Sequence, residues 1–317
     1  MKFNVSATSG YARRGELDFP RGKVQTPAFM PVGTNGTVKA LEVENLEETG
    51  SEIILGNTYH LMLRPGDELI KNLGGLHRFA NWDKPILTDS GGFQIWSLSK
   101  KTKINDDYVE FDSPVNGDII RLTPEKAMQM QNVLGSDIQM VLDECTKYPA
   151  TKMEASLSMK RSEKWAQRSF DAFHAHQTNN DSALFGIIQG GMYEDLRTEN
   201  LEILADIDFD GLAIGGLSVG EPAEERAVVL ESLIPMMPKE KPRYLMGLGT
   251  PVDIIDKHSF SADGNATDVG DQSVARQSYT AASSTTHGYC HGGSVNRIEK
   301  YQFVASTNST QVGTLSE

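Results

Sequence analysis

The feature that most constrains the fold is a series of seven short apolar runs within residues 1–256, separated by helical patterns. Each run is apolar on both faces, as expected of a parallel strand that is covered on both sides. Strands alternating with helices indicate a parallel α/β fold. The runs are residues 28–32, 52–56, 85–89, 138–142, 184–188, 211–215 and 244–247. Seven such strands are one short of an eight-stranded (β/α) barrel, the TIM-type fold.

Two helices are marked by their ends. Thr123 followed by Pro124 predicts a helix start, and Gly135 predicts its end. Thr151 and Glu154 have the spacing of a capping box ahead of a helical pattern that reaches about residue 176. We expect the inner face of this second helix to include Leu157, Trp165 and Phe170.

The chain changes character after Asp256. Residues 257–317 contain 17 Ser and Thr residues, and Ile298 and Leu315 are their only members of the Leu, Ile and Met group. A segment of this composition buries little apolar surface. We therefore divide the chain into a (β/α) domain at 1–256 and a Ser/Thr-rich tail at 257–317, which we expect to be disordered or loosely packed.

Composition and charge exclude several classes of protein. With 43 acidic and 30 basic side chains the net charge is -13, which argues against a general nucleic-acid coat but permits one specific contact with RNA. No apolar run reaches about 18 residues and residues 1–19 lack a signal-peptide core, so we expect a cytoplasmic protein without a membrane segment. Cys145 and Cys290 are too few for a disulfide framework or a four-cysteine zinc site.

Polar and glycine residues follow five of the seven runs. In a parallel α/β barrel the carboxyl ends of the strands meet over one opening, so these residues are expected to lie together. They are the TDSGGFQ segment at 88–94, Asp143 with Glu144 and Cys145, Gln189 with two glycines, Gly215 with Gly216 and Leu217, and the MGLG segment at 246–249.

This set suits a purine such as guanine. One carboxylate can accept from both N1–H and the 2-amino group of guanine, while a Gln amide or a backbone N–H donates to O6. Phe93 and Met246 offer apolar faces above and below a flat ring. Glycines let the backbone approach the ligand closely.

The same motifs, in this order, resemble bacterial tRNA-guanine transglycosylases, also called queuine tRNA-ribosyltransferases. The resemblance covers about residues 2–256 and includes the segments DSGGFQ at 89–94, NTYH at 57–60 and YLMGLG at 244–249. It implies a (β/α)8 barrel and the exchange of the wobble guanine of a tRNA anticodon for a 7-deazaguanine, in bacteria 7-aminomethyl-7-deazaguanine. This exchange is a step of queuosine biosynthesis.

The resemblance also implies roles for individual residues. Asp89 is expected to be the catalytic general acid and base, and Asp143 to bind the guanine edge. The substrate-binding residues are expected to be Ser90, Gly91, Gly92, Phe93, Asp143, Gln189, Gly215, Gly216, Leu217 and Met246. Gly247, Gly249 and Thr250 are expected to contact RNA.

One part of the resemblance stops at Asp256. The family's eighth strand carries a nucleophilic aspartate followed by a Cys-Val-x-Pro-Thr-Arg signature, which this sequence does not contain. Ala266 stands where the nucleophile is expected, with Asp263 and Asp268 nearby. We therefore expect a barrel that lacks its eighth strand, and base exchange far below that of a complete family member. The abrupt change suggests a reading-frame change or a spliced-on sequence near codon 257. If translation of all frames of the gene restores no Cys-Val-x-Pro-Thr-Arg signature, the reading-frame change is rejected.

The family's zinc site, made of three cysteines and one histidine, is not matched either. His287, Cys290 and His291 supply a single thiol. We therefore expect neither the zinc subdomain nor any cofactor in this chain.

Three functions remain open from the sequence. The first is a tRNA-guanine transglycosylase, and the second is a catalytically inactive homologue that binds purine or partners an active subunit. The third is a barrel enzyme that acts on a free nucleobase or nucleoside. A homodimer is one possible arrangement, and the sequence leaves the oligomeric state open.

Overall fold

The structure is a computed structural model that describes residues 1–98, 102–176, 181–249 and, as backbone, 279–283, 287–292, 298–302 and 310–313. The strands are β1 (Lys2–Ser9), β2 (Ala12–Phe19), β3 (Gly22–Thr26), β4 (Val32–Gly33), β5 (Ile54–Asn57), β6 (Ile86–Asp89), β7 (Thr102–Ile104), β8 (Val109–Asp112), β9 (Ile119–Leu122), β10 (Ile138–Met140), β11 (Ala183–Ile188), β12 (Gly211–Ile214), β13 (Arg243–Leu245), β14 (Tyr279–Ser283), β15 (His287–Gly292), β16 (Ile298–Gln302) and β17 (Thr310–Gly313). The helices are α1 (Val43–Glu48), α2 (Thr58–Leu63), α3 (Asp67–Leu73), α4 (Leu76–Ala80), α5 (Gly92–Leu98), α6 (Pro124–Leu134), α7 (Lys152–His176), α8 (Glu194–Ala205) and α9 (Ala223–Leu233), the last followed by a 3-10 turn at Ile234–Met236.

A seven-stranded parallel sheet forms the centre of the molecule, in the order β13-β12-β11-β10-β6-β5-β4. Its strands correspond to the seven apolar runs, so the α/β class predicted from them is confirmed. Strands β5, β10, β11 and β12 are buried along their whole length, which is what cover on both faces requires.

The first of these strands differs from its prediction. Residues 28–32 were expected to form it, but β4 contains only Val32 and Gly33. Pro27 and Pro31 have no N–H to donate to a ladder. The carbonyl of Pro31 still accepts from the N–H of Leu55 at 2.9 Å, so this segment pairs with β5 through an acceptor alone.

The two ends of the parallel sheet are β4 and β13. Within the described residues, no further strand pairs with either of them. The absence of an eighth strand and of a zinc subdomain remains a prediction.

An antiparallel sheet, β1-β2-β3, covers the amino-terminal end of the parallel strands. The N–H of Gln25 donates to Glu52 Oε2 at 2.6 Å, and Arg21 Nε lies 3.5 Å from Asp137 Oδ1. Glu52 and Asp137 come just before β5 and β10, so these contacts fix the sheet at the amino ends. The carboxyl ends are thereby left for the site. The seven apolar runs did not predict this sheet.

A second antiparallel sheet, β7-β8-β9, lies in the chain between α5 and α6. Its Phe111 and Leu122 are buried in one apolar cluster with Tyr59 and Trp165. The sheet therefore shares an apolar cluster with residues of α2 and α7. The sequence patterns did not predict it.

Both predicted helix starts are confirmed. Thr123 caps α6, and its Oγ1 accepts from the N–H of Lys126 at 3.2 Å; Gly135 ends the helix in the left-handed conformation with φ 72°. Thr151 and Glu154 form the capping box of α7, with bonds of 2.8 and 3.3 Å.

The predicted inner face of α7 is partly wrong. Trp165 is buried and Phe170 is partly buried, but Leu157 is 59% exposed. Ser158, Ser162 and Ser169 are buried instead. A serine is classed as polar in a hydrophobic pattern, so the pattern misses a face that carries hydrogen bonds to a neighbouring loop.

The segment after Asp256 contributes a four-stranded antiparallel sheet in the order β14-β15-β16-β17. The sequence predicts no strand there, because these strands lack the Leu and Ile runs from which the others were identified; β14 consists of Tyr, Thr, Ala and Ser instead. The domain boundary at 256 and the loose packing of the tail remain predictions.

None of the helices in the described part of the chain is long and apolar enough to cross a membrane.

Candidate active site

The predicted site residues lie at one edge of the parallel sheet. Asp89 is the last residue of β6, and Gln189 directly follows β11. Gly215 follows β12, and Met246 follows β13. Asp143 lies three residues beyond β10, between β6 and β11 in the sheet order. Because neighbouring parallel strands end at the same edge, the structure brings these residues together as predicted.

Asp143 and Gln189 form a buried hydrogen-bonded pair. Gln189 Nε2 donates to Asp143 Oδ2 at 2.7 Å, and the two residues are 8% and 0% exposed. Burial raises the pKa of Asp143 to about 6, while the bond from Gln189 lowers it. A pKa of about 6 leaves the Asp143 carboxyl mostly ionised at neutral pH.

Serines of α7 hold the loop that carries Asp143. The Oγ atoms of Ser169 and Ser162 accept from the N–H groups of Leu142 and Glu144, at 3.3 and 3.0 Å. Ser158 Oγ donates to the carbonyl of Glu144 at 3.1 Å. These bonds fix the backbone on both sides of Asp143.

Asp89 has one carboxylate oxygen without a partner. Its Oδ1 is enclosed and makes no hydrogen bond, while Oδ2 receives a long bond of 3.5 Å from Gln94 Nε2. Burial and the charge of Asp143 raise the pKa of Asp89 to about 7. Burial and, to a smaller extent, the charge of Asp89 raise the pKa of Tyr244. A carboxyl group with a pKa near neutrality is suited to proton transfer.

Two glycines of the site leave no room for a side chain. A Cβ on Gly92 would lie 2.4 Å from the Asp143 carbonyl oxygen and 2.9 Å from Asp143 Oδ1. Gly216 has φ 62°, and a Cβ there would lie 2.4 Å from Gln189 Oε1. The backbone at both positions is therefore in direct contact with the carboxylate–amide pair.

Other predicted residues surround this pair. Ser90 is 3% and Leu217 is 4% exposed. Gly91 has φ 102°, and its carbonyl accepts from the N–H of Ile95 at 3.1 Å, which begins α5. Glu221 accepts from the N–H groups of Ser218 and Val219 at 2.5 and 2.8 Å, so it orders the loop after Leu217.

The predicted ring-binding residues are more open. Phe93 is 44% exposed, with its ring centroid 5.7 Å from that of Trp96. Met246 packs against the main core, and its N–H donates to the Ile214 carbonyl at 3.2 Å. Gly247 and Gly249 have φ 75° and 137°. Thr250 lies outside the described residues.

Sequence reasoning missed two residues of α8. Arg197 and Asn200 are both completely buried, and both bind backbone atoms at the ends of β11 and β12. The available signal was their i, i+3 spacing on the face of α8 that also carries Leu201 and Leu204. Polar residues on an apolar helix face indicate buried hydrogen-bond partners.

A cavity of about 330 Å³ adjoins the site at Gly191 and Gly216. Residues 146–150 and Tyr193 form most of its opposite wall. Asp89 and Asp143 are not part of its lining. The cavity is therefore a neighbour of the carboxylates and does not contain them.

Cys145 is 5% exposed, as expected of a small buried residue, and burial raises the pKa of its thiol. Within the described ranges, no three His, Cys, Asp or Glu side chains are grouped so that they could hold a metal ion. The side chains of His287, Cys290 and His291, and the whole of Asp263, Ala266 and Asp268, lie outside the described residues. The absence of a zinc site remains a prediction.

A buried carboxylate–amide pair and a second carboxylate at the carboxyl edge of a parallel sheet are typical of the active site of an α/β enzyme. Comparison with known proteins identifies the family. The family model described as queuine tRNA-ribosyltransferase matches residues 7–264. The chain belongs to this family, whose members are tRNA-guanine ribosyltransferases and thus glycosyltransferase-type enzymes.

Individual relatives agree with the family model. The queuine tRNA-ribosyltransferase of Francisella tularensis subsp. novicida (strain U112) is 59% identical over 256 residues, which are 81% of this chain and 69% of that protein. Those of Idiomarina loihiensis and Shewanella halifaxensis are 58% and 57% identical over 81% of this chain and 68% and 67% of their own. The resemblance seen in the motifs is confirmed, and these names give no support to an inactive homologue.

Proposed function

We propose that this chain exchanges the wobble guanine of tRNA for 7-aminomethyl-7-deazaguanine at the carboxyl edge of its parallel sheet. The observation that supports this most is the buried Asp143–Gln189 pair, which lies against Gly216 and next to the partly unpaired carboxylate of Asp89. The Asp143–Gln189 pair offers an acceptor and a donor for recognition of guanine. Asp89, with a pKa near neutrality, is an acid that can protonate guanine as it leaves.

Recognition of the base would begin with Asp143. Its carboxylate accepts from N1–H and the 2-amino group of guanine, and the ionised form is available because its pKa is about 6. Gln189 uses one N–H to orient Asp143 and keeps the other for O6. The N–H of Gly216 is the second donor to O6.

The remaining contacts would enclose the base. Phe93 and Met246 stack on its two faces. Ser90, Gly91, Gly92 and Gly215 let the backbone come close to its edges, and the Leu217 carbonyl accepts from the aminomethyl group. Gly247, Gly249 and Thr250 contact the RNA backbone beside the flipped nucleotide.

Proton transfer is assigned to Asp89. A carboxylate attacks the anomeric carbon of the ribose, the glycosidic C–N bond breaks, and Asp89 gives its proton to the departing guanine. The incoming base then loses a proton to Asp89 as its nitrogen displaces the carboxylate. We assign the attacking carboxylate to no described residue; Asp263 and Asp268 are its candidates.

The complete fold, the cellular location and the oligomeric state belong to the same proposal. We infer that the sheet is part of a (β/α)8-type barrel, of which the described residues supply seven strands. That the chain lacks the eighth strand and the zinc subdomain is part of the proposal, and the two cysteines of the sequence, too few for the family's zinc site, support it for the subdomain. A tRNA substrate supports a cytoplasmic location for the proposed activity. The proposal includes a homodimer, which sedimentation tests.

Calorimetric titration with guanine tests the pocket. We expect the Asp143→Ala variant to bind guanine at least about tenfold more weakly, since one carboxylate accounts for two charge-assisted hydrogen bonds. Asp112→Ala, at an exposed position of β8, is the matched control and should bind like the wild type. Equal affinity of the Asp143→Ala variant would remove Asp143 from the pocket.

A further inference from the structure

Arg197 is a fully buried arginine whose hydrogen-bond partners are backbone carbonyls. Its Nε donates to the Gly191 carbonyl at 2.7 Å, and its Nη2 to the Gly215 carbonyl at 2.9 Å. Longer bonds of 3.4 Å reach the carbonyls of Ile188 and Gly216. Burial lowers the pKa of Arg197 to about 10, so the guanidinium remains charged at neutral pH.

The bonds of Arg197 join the two loops that carry the proposed donors to O6. Ile188 and Gly191 flank Gln189, and Gly215 directly precedes Gly216. Asn200, one turn further along α8, accepts from the N–H of Gln189 at 2.8 Å through Oδ1. One helix therefore holds both loops by their backbones.

A hydrogen bond that fixes the direction of a carbonyl also fixes the direction of the N–H of the next residue. In a trans peptide the C=O of one residue and the N–H of the next point in opposite directions. The bond from Arg197 to the Gly215 carbonyl thus turns the N–H of Gly216 away from α8. Two successive glycines would otherwise allow this peptide to rotate, since Gly216 already has φ 62°.

We infer that Arg197 is a positioning residue that aims the Gly216 N–H at the 6-oxygen of the base and so sets a preference for 6-oxopurines. This inference rests on the proposed function, because it requires a purine in the pocket. Arg197 itself does not contact the base in this account; it acts through the peptide between Gly215 and Gly216.

A purely structural role for Arg197 would weaken all ligands alike, so the test compares two ligands. Guanine carries O6, whereas 2-aminopurine lacks it together with the N1 proton. The loss at N1 is common to wild type and variant and cancels in the comparison. Only the contact to O6 remains to distinguish the two proteins.

The experiment titrates the full chain and its Arg197→Lys and Arg197→Gln variants with both ligands. Far-ultraviolet circular dichroism checks the fold. Lys keeps the charge and can reach one carbonyl, and Gln keeps two N–H donors, so we expect both variants to fold. The matched control is Ile70→Ala, which creates a cavity in a separate apolar cluster.

We expect each Arg197 variant to bind guanine about tenfold more weakly, the effect of one misdirected hydrogen bond, and 2-aminopurine with nearly unchanged affinity. Ile70→Ala should leave the ratio of the two affinities as in the wild type. An unchanged ratio of the two affinities in the Arg197 variants, whether both affinities fall equally or neither falls, would overturn the inference. An Arg197→Lys variant that does not fold would overturn it as well. A wild-type chain that does not bind guanine would overturn the proposed function as well, and is thereby distinguished from failure of the inference alone.

Discussion

Asp89 and Asp143 differ in what surrounds their carboxylates. Asp143 receives a 2.7 Å bond from Gln189 and has a pKa of about 6, whereas Asp89 has an unpartnered Oδ1 and a pKa of about 7. The two groups therefore suit different tasks at neutral pH, one as a charged acceptor and the other as an acid and base.

The raised pKa of Asp89 makes stability depend on pH. The ordinary value is 3.8 and the folded value about 7, so the folded chain keeps a proton that the unfolded chain releases. The stabilisation is complete below about pH 4 and is lost as the pH rises to about 7. We expect Asp89→Asn, which cannot ionise, to be more stable than the wild type by up to roughly 4 kcal/mol at about pH 8.5 and equally stable at about pH 4.

Thermal unfolding at the two pH values measures this difference. Asp112→Asn, on the exposed side of β8, is the control and should show no such pH dependence. The Asp89→Asn variant should also lose base exchange by about 100-fold or more, because an amide cannot transfer the proton. If the stability difference between Asp89→Asn and the wild type did not depend on pH, the raised pKa of Asp89 would be contradicted.

Gly92 offers a steric test of the site. A Cβ there would lie 2.4 Å from the Asp143 carbonyl oxygen, so Gly92→Ala must displace Asp143 or the start of α5. We expect guanine affinity to fall about tenfold or more, measured by calorimetry. Gly33→Ala is the matched control, because the nearest atoms to a Cβ there are 3.5 Å away. Unchanged binding by Gly92→Ala would contradict the geometry of the pocket.

Some site residues were predictable and others were not. Asp89, Gln189 and Gly215 follow apolar runs directly, so strand pattern alone places them at one edge. Arg197 and Asn200 follow no apolar run, and the site atoms that they bind are backbone carbonyl and N–H groups, which every residue carries. Only the three-dimensional path of α8 shows which backbone atoms they meet.

Among the helices and strands, those defined by residues close together in the sequence were the ones that could be predicted. The starts of α6 and α7 depend on residues within one turn, and both predictions are confirmed. Sheets β1-β2-β3 and β7-β8-β9 were missed because several of their strands are largely exposed, so their hydrophobic pattern is weak. The buried serines of α7 were missed for the opposite reason: polar residues occupy an inner face.

Substitution of Thr123, the N-cap of α6, is expected to lower stability without changing guanine affinity. Thr123→Ala removes the acceptor for the N–H of Lys126, and we expect a loss of about 1 kcal/mol in the free energy of unfolding. Thr123→Ser keeps the hydroxyl and should restore most of it. Urea unfolding measures both, and guanine affinity should be unchanged in each variant. A change in guanine affinity would mean that α6 positions the site.

In the whole molecule, the described residues include every residue assigned to guanine recognition, while the attacking carboxylate is not among them. Correct placement of reacting groups contributes roughly 7–11 kcal/mol to lowering a barrier. We therefore expect exchange to be slower than in a relative that has the strand with the Cys-Val-x-Pro-Thr-Arg signature. A covalent enzyme–tRNA adduct trapped on a denaturing gel and mapped to Asp263 or Asp268 would identify the nucleophile, and an exchange rate equal to that of such a relative would contradict this expectation.

Base exchange at the wobble position is measured by incorporation of labelled guanine into tRNA. We expect the wild-type chain to label a tRNA with a wobble guanine and to leave unlabelled the same tRNA with adenine at that position. We also expect 7-aminomethyl-7-deazaguanine to displace the label and Asp143→Ala to lose the activity. No incorporation at any enzyme concentration, or equal labelling of the two tRNAs, would contradict the proposed function.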